Sequence, residues 1–188
     1  MPFVASYALR LITTCLAWRS CVGDWRSAGQ RVDQHGGNGS PVVAVWALPT
    51  NKTIPECGGD CEYVQASYVK WLESAGLRTI PVRYDATPEE LKPLMDGVNG
   101  LFLPGGGPPI PQGARWAIEY ATTLNDKGDF FPIWGTCLGW EWIAQAFAGD
   151  DGILTVDYDA QNLTQPLGVL PGVEADSRLL SGQPPNSA

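Results

Sequence analysis

Histidine is the scarcest chemically active residue type in this sequence, with His35 alone among 188 residues, and there are only five cysteines. A single imidazole leaves no His/Cys cluster with the spacing of a structural zinc site, so we expect no bound metal. Five cysteines are also too few for a small scaffold held together by disulfides. The fold must therefore be stabilised by an apolar core.

Basic residues and long apolar runs are also in short supply. Twelve Lys and Arg stand against twenty Asp and Glu, which gives a formal net charge of -8. This charge disfavours nucleic acid as a partner. No run approaches the roughly 20 consecutive apolar residues that a membrane-spanning helix needs, so no membrane partner is expected. What is present, 44% hydrophobic and 17% charged residues, excludes intrinsic disorder and fits one globular domain.

Residues 1–40 are predicted to be an N-terminal extension. Arg10 precedes a short apolar stretch at residues 11–18, which resembles a secretory signal peptide, and an ordinary extension is the alternative. Residues 24–40 are polar and Gly-rich, which predicts a linker. His35 lies in this linker, where a structural or solvent-exposed role is expected rather than catalysis. Three matches to the N-glycosylation sequence are compatible with the secretory route; they begin at Asn38, Asn51 and Asn162.

Residues 41–188 are predicted to form an α/β domain. Apolar runs predict strands at residues 42–47, 77–82, 100–103 and 130–134. Helical periodicity predicts helices between them, at about 64–75, 87–95, 116–124 and 138–148. Strands that alternate with helices require crossover connections, which give a mostly parallel sheet covered on both faces. Functional sites in such sheets form at the C-terminal ends of the strands.

The alternation of strands and helices stops after Gly149. Residues 150–188 contain turn formers and a Gly-, Pro- and Ser-rich terminus. We therefore expect the domain to be incomplete, with C-terminal elements missing from the sheet. Such a loss would expose an apolar edge, and it predicts that the isolated chain aggregates.

The most informative motif is Gly-Thr-Cys-Leu-Gly at residues 135–139, placed between a predicted strand and a predicted helix. A nucleophile elbow needs this pattern, because its tight turn excludes a Cβ two residues before and two residues after the nucleophile. Cys137 would then lie at a helix N-terminus, where the helix dipole favours the reactive thiolate. The backbone N–H of Leu138 would be free to bind an oxyanion. A cysteine that fills the core is the alternative.

A Pro-Gly-Gly-Gly-Pro segment at residues 104–108 follows the third predicted strand, at the same edge of the sheet as Cys137. Consecutive glycines let backbone N–H groups approach a ligand closely, so Gly106 is the candidate for the second oxyanion donor and Gly105 for substrate contact. A flexible turn is the alternative. The segment lacks the Lys-Ser/Thr ending of a P-loop, so no nucleotide and no other cofactor is expected.

Two further sets of residues are ambiguous. Glu141 lies one helical turn after Cys137, where it could contact the substrate or tune the thiol, and a solvated helix residue is the alternative. Cys57 and Cys61 lie near a predicted helix start, and regular helix geometry rarely permits a disulfide between residues four apart. They are expected to be ordinary thiols or partners of other cysteines.

Four segments closely resemble the folate γ-glutamyl hydrolase family: residues 66–76 (ASYVKWLESAG), 81–83 (PVR), 100–106 (GLFLPGG) and 131–141 (FPIWGTCLGWE). The likeness runs from about residue 41 to about residue 157. It implies a class I glutamine amidotransferase-like α/β fold. It also implies cleavage of γ-glutamyl bonds in poly-γ-glutamylated folates, small-molecule substrates, with Cys137 as the nucleophile. Members of the family are secreted or lysosomal/vacuolar and often homodimeric, which sets the expectation for this chain.

The chain departs from the family pattern in one respect. Members carry a C-terminal His, followed closely by Glu in a Trp-His-Pro-Glu type motif, that acts as the base and its orienting partner. This chain has neither, and His35 matches no family position. Without an imidazole at Cys137 the acid-base steps lose about 10²- to 10⁴-fold, which predicts impaired activity. The alternatives are a glutamine amidotransferase-like hydrolase of other specificity and a non-catalytic protein that binds glutamyl groups.

Overall fold

The structure is a computed structural model that describes residues 39–50, 61–155, 159, 162–166, 168 and 171–173. The chain divides into two compact units, Met1–Leu154 and Thr155–Ala188, and every strand and helix named below belongs to the first. Nearly all of the predicted N-terminal extension, including His35, lies outside the described residues, and so does Cys57. Within the described part of the chain, no helix is long and apolar enough to cross a membrane.

Six strands and four α-helices make up the described part of the first unit. In chain order they are β1 (Val42–Trp46), β2 (Leu48–Pro49), β3 (Glu62–Tyr63), α1 (Ala66–Ser74), β4 (Arg78–Val82), α2 (Pro88–Gly97), β5 (Gly100–Leu103), α3 (Gln112–Asp126), β6 (Ile133–Gly135) and α4 (Leu138–Ala148). A short 3₁₀-helix, Asp151–Ile153, follows α4.

The main sheet has the strand order β4-β1-β5-β6, and all three of its pairings are parallel. The register places Val43 opposite both Thr79 and Gly100, and Phe102 opposite Trp134. The predicted parallel α/β sheet is therefore confirmed. Because parallel strands end at one edge, the segments after β5 and β6 meet there, and both candidate motifs lie in those segments.

Residues of β1 alternate between two apolar clusters, as the two-residue period of a strand requires. Val45 packs with Phe102 and with Leu72 of α1 on one face. Ala44 and Trp46 face the larger cluster on the opposite face, to which α2, α3 and α4 contribute. Helices therefore cover both faces, although α1 is the only one of the four whose buried residue lies in the smaller cluster.

The predicted start of α2 is confirmed in detail. The Thr87 hydroxyl accepts a hydrogen bond from Glu90 N–H at 3.4 Å, and the Glu90 carboxylate accepts one from Thr87 N–H at 3.0 Å. This reciprocal pair is a capping box, and Pro88 occupies the first helical position. Gly76 follows the C-terminus of α1 with a φ of 83°, a left-handed conformation that few other residues tolerate and that commonly ends helices.

Several predicted boundaries differ from the structure; α3, for example, begins at Gln112 rather than at about residue 116. The first helix begins at Ala66, so Val64 lies outside it. The last strand begins at Ile133 rather than residue 130, because the Asn125 amide occupies both backbone groups of Phe131, at 2.9 Å to its N–H and 2.8 Å to its carbonyl. Phe131 is fully buried without joining the ladder.

The sequence patterns also missed a short antiparallel hairpin, in which Leu48 pairs with Tyr63 and Pro49 with Glu62. A strand of two residues is too short to show the alternation of apolar and polar residues by which strands are recognised in a sequence. Next to this hairpin, Cys61 is disulfide-bonded, with its partner outside the described residues. Of the two expectations for Cys61, an ordinary thiol is wrong, and a cysteine that pairs with another cysteine is confirmed.

Candidate active site

Cys137 occupies the turn between β6 and α4, with φ 53° and ψ -113°. A positive φ is rare for a residue with a Cβ, and such a conformation costs about 1–3 kcal/mol unless the surroundings enforce it. Strain of this kind is characteristic of a nucleophile elbow. Cys137 is exposed and is the free cysteine among the described residues, so the alternative of a core-filling cysteine does not hold.

The two glycines that flank Cys137 have no room for a side chain. A Cβ on Gly135 would lie 2.5 Å from the Gly139 carbonyl carbon, and a Cβ on Gly139 would lie 2.1 Å from the Leu103 carbonyl oxygen. Both distances are far inside van der Waals contact. The first turn of α4 is thus pressed against the ends of β6 and β5, and the G-x-C-x-G pattern is what permits this approach.

The glycine loop after β5 lies directly beside Cys137. Gly105 is buried, and a Cβ placed on it would be 3.2 Å from Cys137 Cβ. Gly106 is exposed, and a Cβ there would be 2.5 Å from Leu48 Cδ1 and 3.4 Å from Leu138 Cδ2. The structure therefore brings Gly105 and Gly106 together with Cys137 and Leu138, as the strand order predicts. The hairpin that the sequence patterns missed supports this loop through Leu48.

Four side chains tether the glycine loop. Gly105 N–H donates to Tyr68 Oη at 3.2 Å, and Gln65 Nε2 donates to the Gly105 carbonyl at 3.3 Å. Further along, Trp142 Nε1 donates to the Pro108 carbonyl at 3.3 Å, and Tyr84 Oη donates to the Pro109 carbonyl at 2.7 Å. These contacts restrain the loop at both ends, in contrast to the flexible turn that was the alternative.

Sequence reasoning missed Gln65 and Tyr68 as residues of this site. In the sequence, Tyr68 is only one residue of the helix predicted at about 64–75. A signal was available, because a largely buried tyrosine needs a hydrogen-bond partner for its hydroxyl. Burial in the apolar surroundings of Trp142 also raises the pKa of the Tyr84 phenol, which keeps it protonated as a donor to the loop.

Two backbone amides at this site are available to a ligand. Among the described residues, neither Gly106 N–H nor Leu138 N–H donates a hydrogen bond, whereas the next amides of α4 donate to Thr136 and Cys137 carbonyls. First-turn amides have no partner within their own helix. An oxyanion hole needs two such donors, and these two amides are the candidates at this site.

Other predicted features stand as follows. Glu141 lies in the first turn of α4 and is partly exposed, and the structure does not test its contact with a substrate.

Among the described residues no group of three His, Cys, Asp or Glu is placed to hold a metal ion. A surface cleft of about 440 Å³ between α2 and α3 is lined by Lys92, Asp96 and Trp116, and it does not include Cys137.

The sequence is similar to those of known proteins. The profile of the peptidase C26 family matches residues 41–157, and the chain belongs to this family. γ-Glutamyl hydrolase B of Dictyostelium discoideum is 34% identical over 155 residues, which cover 79% of this chain and 44% of that protein. Human γ-glutamyl hydrolase is 38% identical over 127 residues, or 65% of this chain and 39% of that protein. γ-Glutamyl hydrolase 1 of Arabidopsis thaliana is 30% identical over 162 residues, which cover 79% and 44% of the two chains.

These matches confirm the resemblance and the class I glutamine amidotransferase-like α/β fold that it implied. The chain spans less than half the length of these curated relatives.

Proposed function

We propose that this chain carries the nucleophile of a γ-glutamyl peptidase that hydrolyses γ-glutamyl bonds of folylpoly-γ-glutamates. The observation that carries the proposal is the strained backbone of Cys137, φ 53°, enclosed by two glycines that admit no Cβ. Membership of a peptidase family supports the reaction class, and the names of the relatives support the γ-glutamyl bond. The folate part of the substrate rests on the resemblance alone.

The chemistry follows from the positions of the groups. The Cys137 thiolate attacks the γ-amide carbonyl, a C–S bond forms, and the carbonyl oxygen becomes an oxyanion that Leu138 N–H and Gly106 N–H stabilise. Collapse breaks the C–N bond, the amine leaves with a proton, and water hydrolyses the thioester to release the thiol and the carboxylate. Gly105 and Glu141 are the proposed contacts of the substrate.

Proton transfer to the leaving amine is the step that we expect to limit turnover by this chain. The leaving amine needs a proton donor, and an imidazole is the usual one at neutral pH. The only histidine is His35, upstream of β1. We therefore expect turnover by this chain to fall short of a complete enzyme by about 10²- to 10⁴-fold, the usual contribution of general acid-base catalysis.

Secretion, or delivery to a lysosome or vacuole, is proposed on three observations. The sequence before β1 resembles a signal peptide, Cys61 is disulfide-bonded, and Asn162 of an Asn-Leu-Thr sequence lies in an exposed turn. Disulfides persist in oxidising compartments, and glycosylation acceptors lie on accessible loops. Homodimerisation remains a prediction from the family resemblance.

The test is hydrolysis of folate pentaglutamate by the purified chain beside a Cys137→Ala control, with iodoacetamide labelling of both. Slow turnover that the substitution abolishes, with labelling at Cys137, would support the peptidase. Ammonia release from glutamine without cleavage of the pentaglutamate would favour an amidotransferase-like hydrolase. Tight binding of the pentaglutamate with no turnover, even when the longer relatives turn over in the same assay, would favour a non-catalytic binding protein.

A further inference from the structure

Gln65 precedes the first helix, and its side chain does not cap it. The residue occupies the N-cap position of α1, yet its side chain makes no capping hydrogen bond. Ser, Thr, Asp and Asn are the residues that stabilise this position, so helix capping does not explain a glutamine here. The side chain instead reaches the loop after β5, where Nε2 donates to the Gly105 carbonyl at 3.3 Å. Because a carbonyl can only accept, the nitrogen of the amide is the atom that faces it.

Gln65 and Tyr68 hold two consecutive peptide units of this loop. They lie three residues apart at the start of α1, a spacing that places both on one face of the helix. Tyr68 Oη accepts from Gly105 N–H at 3.2 Å, so it holds the unit between Pro104 and Gly105. Gln65 holds the next unit, which consists of the Gly105 carbonyl and the Gly106 N–H. The proposed oxyanion donor is therefore tied to α1 through the carbonyl of its own peptide.

The peptide between Gly105 and Gly106 is planar, which couples the directions of its two polar groups. It is trans, and in a trans peptide the C=O and N–H bonds point in opposite directions. With the Gly105 carbonyl held toward Gln65, the Gly106 N–H points away from Gln65, and no described residue accepts a hydrogen bond from it. Reversal of the peptide would exchange the two groups. It would present a carbonyl oxygen where the N–H now points, and a carbonyl oxygen repels an oxyanion.

The two glycines on either side of this peptide make its reversal easy unless another contact prevents it. Reversal changes ψ of Gly105 and φ of Gly106, and glycine adopts unusual backbone angles more readily than any other residue. Close packing nevertheless requires glycine at both positions, because a Cβ on Gly105 would lie 2.9 Å from Tyr68 Oη and one on Gly106 would lie 2.5 Å from Leu48 Cδ1. A separate contact therefore has to fix the direction of the peptide.

We propose that Gln65 is a positioning residue that sets the direction of the Gly105–Gly106 peptide and so keeps the Gly106 N–H available to an oxyanion. The inference rests on the proposed function, which assigns Gly106 to the oxyanion hole. Gln65 acts through the Gly105 carbonyl rather than on the substrate, and its amide donor selects one of the two peptide directions. A carboxylate at position 65 would select the other direction, because it accepts from the Gly106 N–H and repels the Gly105 carbonyl.

The test compares acylation and alkylation of Cys137 in the same variants. The acylating reagent is the γ-(4-nitrophenyl) ester of N-acetylglutamate. A C–S bond forms through an oxyanion, the ester C–O bond breaks, and nitrophenolate leaves without a proton donor, so the step does not depend on a histidine. Alkylation by iodoacetamide forms no oxyanion and reports the thiol alone. The ratio of the two rates therefore reports the oxyanion hole, and it removes any effect of a new charge on the thiolate fraction.

Three substitutions of Gln65 should give different ratios of acylation to alkylation. Gln65→Glu should lower the ratio about 10²- to 10³-fold, the usual effect of the loss of one oxyanion-hole donor. Gln65→Met has a similar length without a donor, and it should lower the ratio about 10-fold, as expected for the loss of one hydrogen bond. Gln65→Lys keeps a donor and should retain most of the ratio.

Gln145→Glu is the matched control for these substitutions. Gln145 Nε2 also donates to a backbone carbonyl, that of Asp151, at 3.1 Å. Gln145 lies on α4, outside the contacts of the glycine loop, so the ratio should stay at the wild-type value. Circular dichroism checks that each variant is folded.

Amide hydrogen exchange gives a second readout, which needs no reaction at Cys137. NMR of the ¹⁵N-labelled chain follows Gly106 N–H, which is exposed and should exchange rapidly in the wild type. In Gln65→Glu the same N–H should bond to the new carboxylate and exchange about 10-fold more slowly. Gly105 N–H, which Tyr68 holds, is the internal reference.

Three results would overturn the proposal. The first is an equal ratio of acylation to alkylation in Gln65→Met and Gln65→Glu, because a side chain that only packs would be replaced equally well by either. The second is a wild-type ratio in Gln65→Glu, and the third is a Gly106 amide that exchanges equally fast in Gln65→Glu and the wild type. A wild type without acylation at Cys137 would contradict the proposed function, and the exchange of Gly106 would still decide the role of Gln65.

Discussion

The hydrogen bond from Gly105 N–H to Tyr68 Oη, 3.2 Å long, joins the first helix to the loop beside Cys137. Tyr68 also packs on Phe102, with ring centroids 4.9 Å apart, so its ring is fixed from the sheet side. Gly105 in turn precedes Gly106, whose N–H is a proposed oxyanion donor. Tyr68, a residue of the first helix, thus helps to position the loop that carries this proposed donor.

Tyr68→Phe should therefore weaken the glycine loop while it preserves the packing on Phe102. The buried Gly105 N–H loses its acceptor, which costs about 1–2 kcal/mol in the free energy of unfolding. Urea denaturation measures this, and turnover of folate pentaglutamate should fall with an unchanged rate of iodoacetamide labelling. The control is Tyr63→Phe, which removes the hydroxyl of a 41% exposed tyrosine. Equal stability of both variants would contradict the tether.

Two substitutions of Cys137 should distinguish the backbone strain at this position from the reactivity of its thiol. Cys137→Gly relieves a backbone strain of about 1–3 kcal/mol. Glycine also loses more backbone entropy on folding, which offsets part of this gain, so we expect a net increase of about 1 kcal/mol in the free energy of unfolding. Cys137→Ala keeps the Cβ and the strain, and it should not show this gain. Both lose thiol labelling. Chemical denaturation compares them, and a Gly variant no more stable than the Ala variant would argue against a strained elbow.

Gly139→Ala should be among the most damaging single-methyl changes in this domain. Its Cβ would lie 2.1 Å from the Leu103 carbonyl oxygen, a backbone atom that cannot rotate away. We expect a loss of about 3 kcal/mol or more in the free energy of unfolding, as for overpacking at a rigid site. Gly97→Ala is the matched control, since its Cβ meets nothing within 4 Å. Similar melting temperatures for the two variants would contradict the close approach of α4 to β5.

Stability near the start of α2 should depend on pH through Glu89. A hydrogen bond from its own backbone N–H, and secondarily one from Thr87, lowers the pKa of the Glu89 carboxyl below its ordinary 4.5. A depressed folded-state pKa stabilises the protein above the unfolded-state value, and that stabilisation is lost as pH falls through the folded-state value. The melting temperature of the wild type should exceed that of Glu89→Gln at neutral pH, and the difference should shrink as the pH is lowered. A difference that does not vary with pH would exclude this effect.

Much of the fold could be predicted from the sequence because its signals are local. The capping box at Thr87, the glycine cap at Gly76 and the bounds of α4 are set by residues within a few positions of each other. The features that could not be predicted depend on contacts between separate elements. The hairpin of Leu48 with Tyr63 and the late start of β6 depend on partners far along the chain or on a side chain, Asn125, in the preceding helix.

The candidate site also combines features that follow from the local sequence with features that depend on tertiary contacts. The G-x-C-x-G spacing by itself determined that Cys137 stands in a turn too tight for neighbouring side chains, because that requirement is steric and concerns five consecutive residues. Only the tertiary structure decided that Tyr68 and Gln65 tether Gly105 and that Leu48 lies under Gly106. These are relations between elements, and they arise because parallel pairing brings the ends of β1, β5 and β6 to one edge of the sheet.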